Sequence, residues 1–338
     1  MSLSALPVVD ASEFLAKGED ASFVTALREA CHDPGFCYLV GHGIERHVDA
    51  QLIEQAGEFF ALPADARAAI AIGRSPHFRG YTVLGDERTL GRRDWRDQID
   101  IGPEAPALAL SEDDPPWLRL QGPNQWPAGL PQFRLAVSQW LRCIDSLAQA
   151  MMRAIALGLG QTAGVFDSAI QPTPYTRLKI IRYPAQTEGE DDGQGLGLHQ
   201  DSGLLTLILQ DEVGGLQVKT PAGLVDVSPM PGAYILNLGE MLQAASGGYL
   251  RATPHQVTSP PSGRQRISIA YFFNPRLDAV FTPLTLPPEL AARARGGQNN
   301  DPSDPVFSTF GENTLKIRMR AHPDVSRAFY AGVELGKH

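Results

Sequence analysis

Cysteine is scarce in this chain of 338 residues. The three cysteines, Cys31, Cys37 and Cys143, are too few and too scattered to form a disulfide framework or a zinc site built on cysteine. Free thiols are typical of proteins in a reducing compartment, so we expect a cytoplasmic protein.

Long apolar runs and an excess of positive charge are also absent. No stretch of about 18 uncharged apolar residues exists, so no transmembrane helix is predicted. The opening segment MSLSALPVVDASEF lacks the basic and apolar parts of a signal peptide. The formal net charge of -9 disfavours general binding to nucleic acid or to acidic membranes, and we expect neither as a partner.

The composition that remains is that of a folded globular protein, with 43% hydrophobic and 20% charged residues. Apolar residues recur at every third or fourth position in three segments, which predicts amphipathic helices at 21–30, 47–62 and 131–160. Between the first two, the segment GFCYLVGHGI (35–44) is short, aromatic and bounded by glycine, and predicts a strand. Residues 71–130 are rich in charge, proline and glycine, and are predicted as surface loops.

The pattern changes near residue 172. Up to about residue 283, turn residues separate short runs rich in β-branched and aromatic residues: TRLKIIRYP, LLTLILQ, GLQVKT, GAYILNLG, HQVTS and RISIAYFF. Strands at this spacing indicate an antiparallel barrel or jelly roll. We predict a mixed α and β protein with an N-terminal helical and mixed region (1–170), a jelly-roll core (171–285) and a C-terminal helical segment (286–338).

A histidine and an aspartate stand two positions apart where the apolar run LGLHQDSGLLTLILQD begins. His199 and Asp201 adjoin a strand pattern, and because residues i and i+2 of a strand share a face, both side chains can converge on one cation. His47 and Asp49 have the same spacing but lie in a helical pattern, where positions i and i+2 point to different sides. Only the first pair is therefore a candidate metal site.

The best candidate for a third ligand is His255, in LRATPHQVTS. It starts another strand pattern, and a jelly roll can bring two such strands side by side. Two imidazoles and one carboxylate on one face form the triad typical of non-haem iron(II) oxygenases. Spacing alone leaves open that His199 and His255 are core histidines with satisfied hydrogen bonds. The histidines that stand in other contexts and are not predicted as ligands are His32, His42, His47, His77, His322 and His338.

The segment RISIAY, shortly after His255, contains a candidate anion site. Arg266 and Ser268 share one face of the predicted strand, and two isoleucines share the other. If Arg266 points towards the metal, its buried charge needs an anion, and a carboxylate suits the guanidinium, with the Ser268 hydroxyl as a further donor. The alternative places Arg266 on the solvent side of an edge strand, and the alternation does not choose between the two.

Taken together, these motifs resemble the isopenicillin N synthase-like branch of the iron(II)/2-oxoglutarate-dependent oxygenases. LPVVDASEF, ACHDPGFCYLVGHGI and EFFALP are similar to the N-terminal region of that branch. LGLHQDSGLLTLILQDEVGGLQV, LNLGEMLQAASGGYLRATPHQV and RISIAYFF are similar to its catalytic core. The resemblance covers most of the chain. It implies a double-stranded β-helix (jelly-roll) core flanked by N-terminal helices and a C-terminal helical segment.

The resemblance also implies roles for particular residues. His199, Asp201 and His255 match the iron ligands. Arg266 and Ser268 match the Arg-x-Ser pair that holds the distal carboxylate of 2-oxoglutarate.

Two further positions are matched by the same resemblance. Tyr183, in RLKIIRYP, matches a tyrosine that often donates to that carboxylate, and the alternative is a core aromatic with a locally satisfied hydroxyl. Asn237, in LNLGE, stands where the family has a residue near the metal, and is a candidate substrate contact.

The implied cofactors are Fe(II) and 2-oxoglutarate. The implied reaction uses dioxygen to hydroxylate, desaturate or cyclise a small-molecule substrate, with release of succinate and carbon dioxide. Isopenicillin N synthase itself takes no 2-oxoglutarate, so an iron-dependent oxidase of that type, or an ethylene- and succinate-forming enzyme, is the alternative. A non-catalytic β-barrel binding protein is disfavoured, because all three ligand types and Arg266 are present.

Three segments bear on the substrate. Residues 78–102 match the family segment that helps to cover the pocket, but their interleaved arginines and aspartates are more typical of a solvated, self-paired surface. Residues 310–325 resemble a C-terminal segment in which an arginine at the position of Arg320 approaches the pocket. Arg320 is therefore predicted to contact a carboxylate of substrate or cosubstrate, with a helix-surface arginine as the alternative. The acidic stretch EGEDDGQG (188–195) is predicted as a solvated hairpin tip.

Overall fold

The computed structural model describes residues 6–89, 91–186, 194–261, 263–280, 282–296 and 307–336. The helices are α1 (Ser12–Lys17), α2 (Ala21–His32), α3 (Arg46–Ala61), α4 (Ala64–Ala68), α5 (Pro131–Gly158), α6 (Asp167–Ile170), α7 (Glu240–Ala245), α8 (Pro288–Ala291), α9 (Phe310–Ala321) and α10 (Pro323–Phe329). The strands are β1 (Val8–Asp10), β2 (Phe36–Val40), β3 (Gly80–Thr82), β4 (Arg88–Thr89), β5 (Arg92–Arg93), β6 (Asp97–Ile101), β7 (Arg177–Tyr183), β8 (Gln194–His199), β9 (Leu205–Gln210), β10 (Leu216–Thr220), β11 (Gly223–Asp226), β12 (Tyr234–Leu238), β13 (His255–Thr258) and β14 (Arg266–Phe273).

Most strands belong to two sheets that pack face to face. The larger sheet has the order β1-β2-β12-β9-β14-β7-β6-β3, and the smaller sheet has the order β11-β10-β13-β8. Strand β1 runs parallel to β2, and the other pairs in these sheets are antiparallel. Side chains of both sheets, including Ile181, Ile208, Val218 and Val257, form one apolar cluster. The predicted jelly-roll core with flanking helices is confirmed.

The larger sheet is buried on both faces, as its central strand β14 shows. Ile267 and Ile269 pack into the main core together with side chains of α5. Arg266 and Ser268 alternate with them and line the cavity between the sheets. Because β14 lies between β9 and β7, the alternative that placed Arg266 on a solvated edge strand is wrong.

The three predicted helices are confirmed as α2, α3 and α5, and the predicted strand within 35–44 is β2. The start of α2 is fixed by Asp20, whose carboxylate accepts hydrogen bonds from the backbone N–H groups of Ser22 (2.9 Å) and Phe23 (3.1 Å). The apolar faces of these helices cover the outer face of the larger sheet. These helices form a packed layer on the face of the sheet that is turned away from the cavity.

The prediction of surface loops for residues 71–130 is wrong in part, because β3 and β6 of this segment extend the larger sheet. All five residues of β6 are buried, including Asp97 and Asp100. Asp97 accepts two hydrogen bonds from Arg182, at 2.9 and 2.7 Å. Buried charges that are paired in this way are tolerated in a sheet, so the sequence looks like a solvated surface although it forms an internal strand.

Strands from the predicted regions 1–170 and 171–285 share one sheet, since β1, β2, β3 and β6 pair with strands of the jelly roll. The three-part division stays a prediction. The helices α9 and α10 pack with Phe78 and Trp117 in a separate apolar cluster. Residues 187–193, which include most of the predicted acidic hairpin tip, lie outside the described residues. Among the described helices, none combines the length and the apolarity needed to cross a membrane.

Candidate active site

Three side chains that could hold a metal meet at one end of the smaller sheet. His199 ends β8 and His255 begins β13, and the two residues are direct partners in the antiparallel pairing. Asp201 follows β8 by two residues, and the three ligand atoms all lie within 4.8 Å of one another. Across the described residues, no other group of three or more His, Cys, Asp or Glu side chains is this close.

Both imidazoles are oriented by the backbone. The Nδ1 atom of His199 lies 2.9 Å from the carbonyl oxygen of Gly197, and the Nδ1 atom of His255 lies 3.1 Å from that of Thr253. A carbonyl oxygen only accepts, so each Nδ1 carries the hydrogen and each Nε2 is free to bind a metal. Burial and the neighbouring His255 lower the pKa of His199, so its imidazole is neutral at neutral pH, as a ligand must be.

The carboxylate of Asp201 has one occupied and one free oxygen. Its Oδ2 atom accepts a hydrogen bond from the Thr206 hydroxyl (2.6 Å) and another from Nδ2 of Asn237 (2.7 Å). Its Oδ1 atom lies 3.7 Å from Nε2 of His199, on the side where a metal would sit. Asn237 is fully buried, contacts Asp201 and is not one of the cavity-lining residues, and its predicted substrate contact stays a prediction.

The side chains of His47 and Asp49, the second His-x-Asp pair, point in different directions, as predicted. His47 is exposed on α3, and its Nδ1 atom lies 3.0 Å from a carboxylate oxygen of Glu45. Asp49 points inward and accepts hydrogen bonds from Nε1 of Trp140 (2.9 Å) and from the Tyr234 hydroxyl (2.5 Å). The helical spacing separates the two side chains completely.

Arg266 is a buried cation that forms no ion pair with a carboxylate of the described residues. It is 1% exposed, and it donates to the carbonyl oxygen of Val213 (3.2 Å) and to Oε1 of Gln210 (3.2 Å). Its third nitrogen, Nη1, is buried and has no hydrogen-bond partner. In the described part of the chain no carboxylate forms an ion pair with Arg266. A buried guanidinium with a free N–H group fits a carboxylate ligand, since an unpaired buried charge is costly.

The other two predicted 2-oxoglutarate contacts lie beside this arginine. Tyr183 is the cross-strand partner of Arg266, and the Arg266 Cζ atom lies 5.0 Å from the centre of the Tyr183 ring. Ser268 is buried on the same face of β14. All three residues line the cavity that contains the metal ligands. Arg96, which lines the same cavity, interacts electrostatically with the Tyr183 hydroxyl.

The cavity between the two sheets has a volume of about 320 Å³. Its apolar wall comes from both sheets and includes Ile181, Ile208, Val257 and Phe272. The C-terminal helix α9 closes one side. The residues of α9 that face the cavity are Phe310, Thr314, Ile317 and Ala321.

Arg320 lies on α9 but is exposed and is not one of its cavity-lining residues. Its predicted contact with a carboxylate stays a prediction. The buried arginine of this helix is Arg318, which donates to Asp100 (2.9 Å) and to the carbonyl oxygen of Phe78 (2.9 Å). Arg318 thus ties α9 to strand β6.

A buried cluster of charges forms another part of the cavity wall. Glu87 lies 2.8 Å from Nζ of Lys179, 2.7 Å from Nη2 of Arg96 and 3.2 Å from Nε2 of His322. Burial lowers the pKa of Lys179 to about 8, although the nearby Asp100 and Glu87 act in the opposite direction. No sequence motif marks this cluster, because its members come from three distant segments. The prediction of a solvated surface is wrong for Arg96 and Asp94, which are buried and paired here.

Two imidazoles and one carboxylate on a jelly roll, with a buried arginine in the same cavity, define a mononuclear non-haem iron oxygenase site. Two family models match the chain. Residues 6–129 match the N-terminal region of the family described as non-haem dioxygenase in morphine synthesis, and residues 175–275 match the 2OG-Fe(II) oxygenase superfamily. The chain belongs to the 2OG-Fe(II) oxygenase superfamily.

Related proteins agree with this assignment over nearly the whole length. The chain is 33% identical over 342 residues to the 2-oxoglutarate-dependent dioxygenase frbJ of Dothideomycetidae sp. (strain 11243), covering 96% of this chain and 92% of that protein. It is 32% identical over 306 residues to the homoarginine-6-hydroxylase 2-ODD-C23.1 of Arabidopsis thaliana, covering 86% of this chain and 91% of that protein.

Solved structures show the same fold. A full-length Neurospora crassa protein in complex with alpha-KG and 5-formyluracil aligns with a TM-score of 0.74 and 26% identity, covering 94% of this chain and 97% of that one. JOX2 in complex with 2OG, Fe and JA aligns with a TM-score of 0.72 and 26% identity, covering 93% and 85%. The protein is a 2-oxoglutarate/Fe(II)-dependent dioxygenase, and Fe(II) and 2-oxoglutarate are its cofactors. The alternatives of an oxidase without 2-oxoglutarate and of a binding protein are set aside.

Proposed function

We propose that His199, Asp201 and His255 hold the Fe(II), and that the enzyme hydroxylates an aliphatic C–H bond of a small molecule. Arg266, with Ser268 and Tyr183, binds the distal carboxylate of 2-oxoglutarate. When bound, iron and 2-oxoglutarate supply the oxidising power, with succinate and carbon dioxide as the by-products.

The observation that carries this proposal is the sharing of one cavity by the three ligand atoms and the unpaired Nη1 of Arg266. The remaining roles follow from the contacts of the chain itself. Thr206 and Asn237 hold Asp201 with one oxygen free. The guanidinium of Arg266 fixes the charged end of the cosubstrate, and the apolar wall excludes water from the rest of the cavity.

Hydroxylation is favoured over desaturation and cyclisation because four relatives at 30–33% identity are named homoarginine-6-hydroxylases. Their substrate is not carried over. A guanidinium substrate needs an available carboxylate, and two of the carboxylates in the wall, Glu87 and Asp94, are bonded to protein donors. We argue the substrate class from the cations of the wall instead.

The metal and cosubstrate sites are tested by anaerobic titration with Fe(II) and 2-oxoglutarate. Chelation of iron by the cosubstrate gives a weak visible charge-transfer band, and we expect it in the wild type. The variant His199→Ala should lose the band, and the matched control His47→Ala should retain it. In Arg266→Gln the band should require at least tenfold more 2-oxoglutarate. A wild-type protein that binds iron but shows no band contradicts the proposed cosubstrate site.

The reaction type is tested by the mass of the product. A panel of organic and amino acids is screened for compounds that stimulate succinate formation, and the reaction with the best of them is repeated under ¹⁸O₂. Hydroxylation adds one labelled oxygen to the product. Loss of two hydrogens without added oxygen, or release of ethylene, would show that the reaction type is different.

A further inference from the structure

Arg177 is a second arginine, besides Arg266, that lines the cavity without an ion-pair partner among the described residues. It is the first residue of β7 and lines the cavity. Its Cζ atom lies 4.4 Å from the centre of the Phe272 ring, and its Nε atom is buried without a hydrogen-bond partner. Over the residues that the structure describes, no carboxylate forms an ion pair with Arg177.

Three other cations in or beside this wall are paired with carboxylates. Lys179 and Arg96 share Glu87, at 2.8 and 2.7 Å. Arg318 pairs with Asp100 at 2.9 Å. Burial and the nearby Arg318 lower the pKa of Arg177, although Asp100 and Glu87 act in the opposite direction. Both of these carboxylates are already paired with other cations, and among the described residues none forms an ion pair with Arg177 itself.

The cosubstrate cannot supply that charge, because Arg177 and Arg266 stand at opposite ends of the same strand pair. In the register of β7 with β14, Arg266 is opposite Tyr183, and Phe272 is opposite Arg177. Six residues separate the two ends, which is about 20 Å at the rise of a β-strand. Each guanidinium lies over the ring of its own cross-strand partner, so neither reaches towards the other. A five-carbon dicarboxylate does not bridge this distance.

The end of the cavity at Arg177 is also close to the metal ligands. Phe272 is the cross-strand partner of Thr206 in the pairing of β14 with β9. Thr206 in turn donates to the carboxylate of Asp201, at 2.6 Å. A molecule held by Arg177 therefore lies next to the reaction centre, on the side away from the cosubstrate anchor.

From this geometry we propose that Arg177 binds a carboxylate group of the primary substrate, so that the enzyme acts on an organic acid. The inference rests on the proposed function, since it assigns the substrate class of the same site. The guanidinium donates two N–H groups to the carboxylate, and Phe272 and Ile181 contact the apolar part of the molecule. The C–H bond that is oxidised then lies at a fixed distance from that carboxylate.

The test compares acids with their amides. A panel of aliphatic, aromatic and N-acetyl-amino-acid carboxylates, each with its matched primary amide, is titrated anaerobically into enzyme loaded with Fe(II) and 2-oxoglutarate. Binding is followed by calorimetry and by the change in the visible band. We expect at least one acid to bind, and to bind at least tenfold more tightly than its amide. A wild-type enzyme that binds none of the acids, or binds acids and amides equally, overturns the proposal.

Three variants assign the preference to this arginine. Arg177→Gln should abolish the difference between acid and amide, and Arg177→Lys should restore part of it. Arg153→Gln, which changes an exposed arginine of α5, should leave it unchanged. Retention of the acid preference in Arg177→Gln would also overturn the proposal.

Two further measurements separate this proposal from the proposed function. The 2-oxoglutarate affinity of Arg177→Gln should stay within threefold of the wild type, and its unfolding midpoint should not fall, because the variant removes an unpaired charge. If the wild type shows a normal band but no preference for acids, the role of Arg177 is refuted and the proposed function is not. The absence of any band in the wild type refutes the proposed function itself.

Discussion

At the scale of single residues, each proposed metal ligand keeps one atom available for the metal because a hydrogen bond holds the opposite side of its side chain. Each histidine is held through Nδ1 by a backbone carbonyl two residues earlier, and Asp201 is held through Oδ2 by two side chains. Such partners fix the direction of a ligand and raise the affinity for the metal. None of these hydrogen bonds involves Arg266, Ser268 or Tyr183, the proposed contacts of the cosubstrate.

The first prediction concerns Thr206, whose hydroxyl can be removed with almost no change of shape. Thr206→Val should weaken Fe(II) binding by about 10- to 100-fold, because Oδ2 of Asp201 loses a donor. The measurement is anaerobic competition for iron with a chelator. Thr220→Val is the matched control, since the Thr220 hydroxyl bonds only within the turn near Gly223. Equal iron affinity in both variants would contradict the role assigned to Thr206.

The second prediction concerns Lys179. Its pKa is lowered to about 8 in the folded protein, against about 10.4 in an unfolded chain. Between these values the unfolded chain binds more protons, so this residue makes the free energy of unfolding rise with pH, by up to about 3 kcal/mol in total. Below pH 8 both states are protonated and the cost of burying the charge is present in full.

The check is urea denaturation of the wild type and of Lys179→Met between pH 7 and 10. The stability difference between the two proteins should shift in favour of the wild type as the pH rises. A difference that is independent of pH would show that Lys179 titrates normally.

At the scale of elements, helix α9 closes the cavity and depends on close packing at its first turn. A Cβ atom at Gly311 would come within 2.5 Å of the Trp117 ring and 2.8 Å of the carbonyl oxygen of Leu277. The helix can approach the wall only because this residue has no side chain. The Trp117 ring is bulky and the Leu277 carbonyl belongs to the backbone, so neither can move away at low energetic cost.

The third prediction follows from this contact. Gly311→Ala should lower the free energy of unfolding by about 1–3 kcal/mol, although alanine favours helices, because the clash outweighs the gain in propensity. Gly57→Ala in α3 is the matched control. A Cβ there meets nothing within 4 Å, so it should stabilise by up to about 1 kcal/mol. Chemical denaturation measures both, and stabilisation by Gly311→Ala would refute the packing argument.

Elements with a regular apolar period were predictable, and elements whose charges are paired inside the protein were not. The long helix α5 and strands such as β9 and β14 carry their period in the sequence. Strand β6 reads DQIDI, and the partners that make its aspartates tolerable, among them Arg182 and Arg318, come from distant segments. Strand β8 reads QGLGLH, where glycines remove the alternation.

The same limit applies to the site. His199, Asp201 and His255 were found because their spacing and order match a known pattern, and the structure brings them together. Asn237 was found by position, but its contact with Asp201 was not, since the sequence does not show which way a buried amide points. Arg96 and Arg177 carry no signal in the sequence, because an arginine in a loop or in a strand is more often solvated.

At the scale of the whole molecule, the cofactors bind the folded state and should stabilise it. The fourth prediction is that Fe(II) and 2-oxoglutarate each raise the free energy of unfolding, by about 2.7 kcal/mol at a concentration of 100 times Kd. Anaerobic thermal unfolding measures the effect. Arg266→Met should keep the increase caused by iron and lose the one caused by 2-oxoglutarate. If 2-oxoglutarate stabilised this variant as strongly as the wild type, the cosubstrate anchor would lie elsewhere.

The larger sheet pairs strands that the ribosome synthesises at widely separated times. In the pairing of β12 with β2, Asn237 lies opposite Phe36, about 200 residues earlier in the chain. At a synthesis rate of about 5–20 residues per second, the ribosome needs roughly 10–40 s to deliver the second partner. During this interval the apolar strand FCYLV has an open edge. A chaperone that shields nascent β2 would therefore raise the yield of active enzyme, and slower translation alone would lower it.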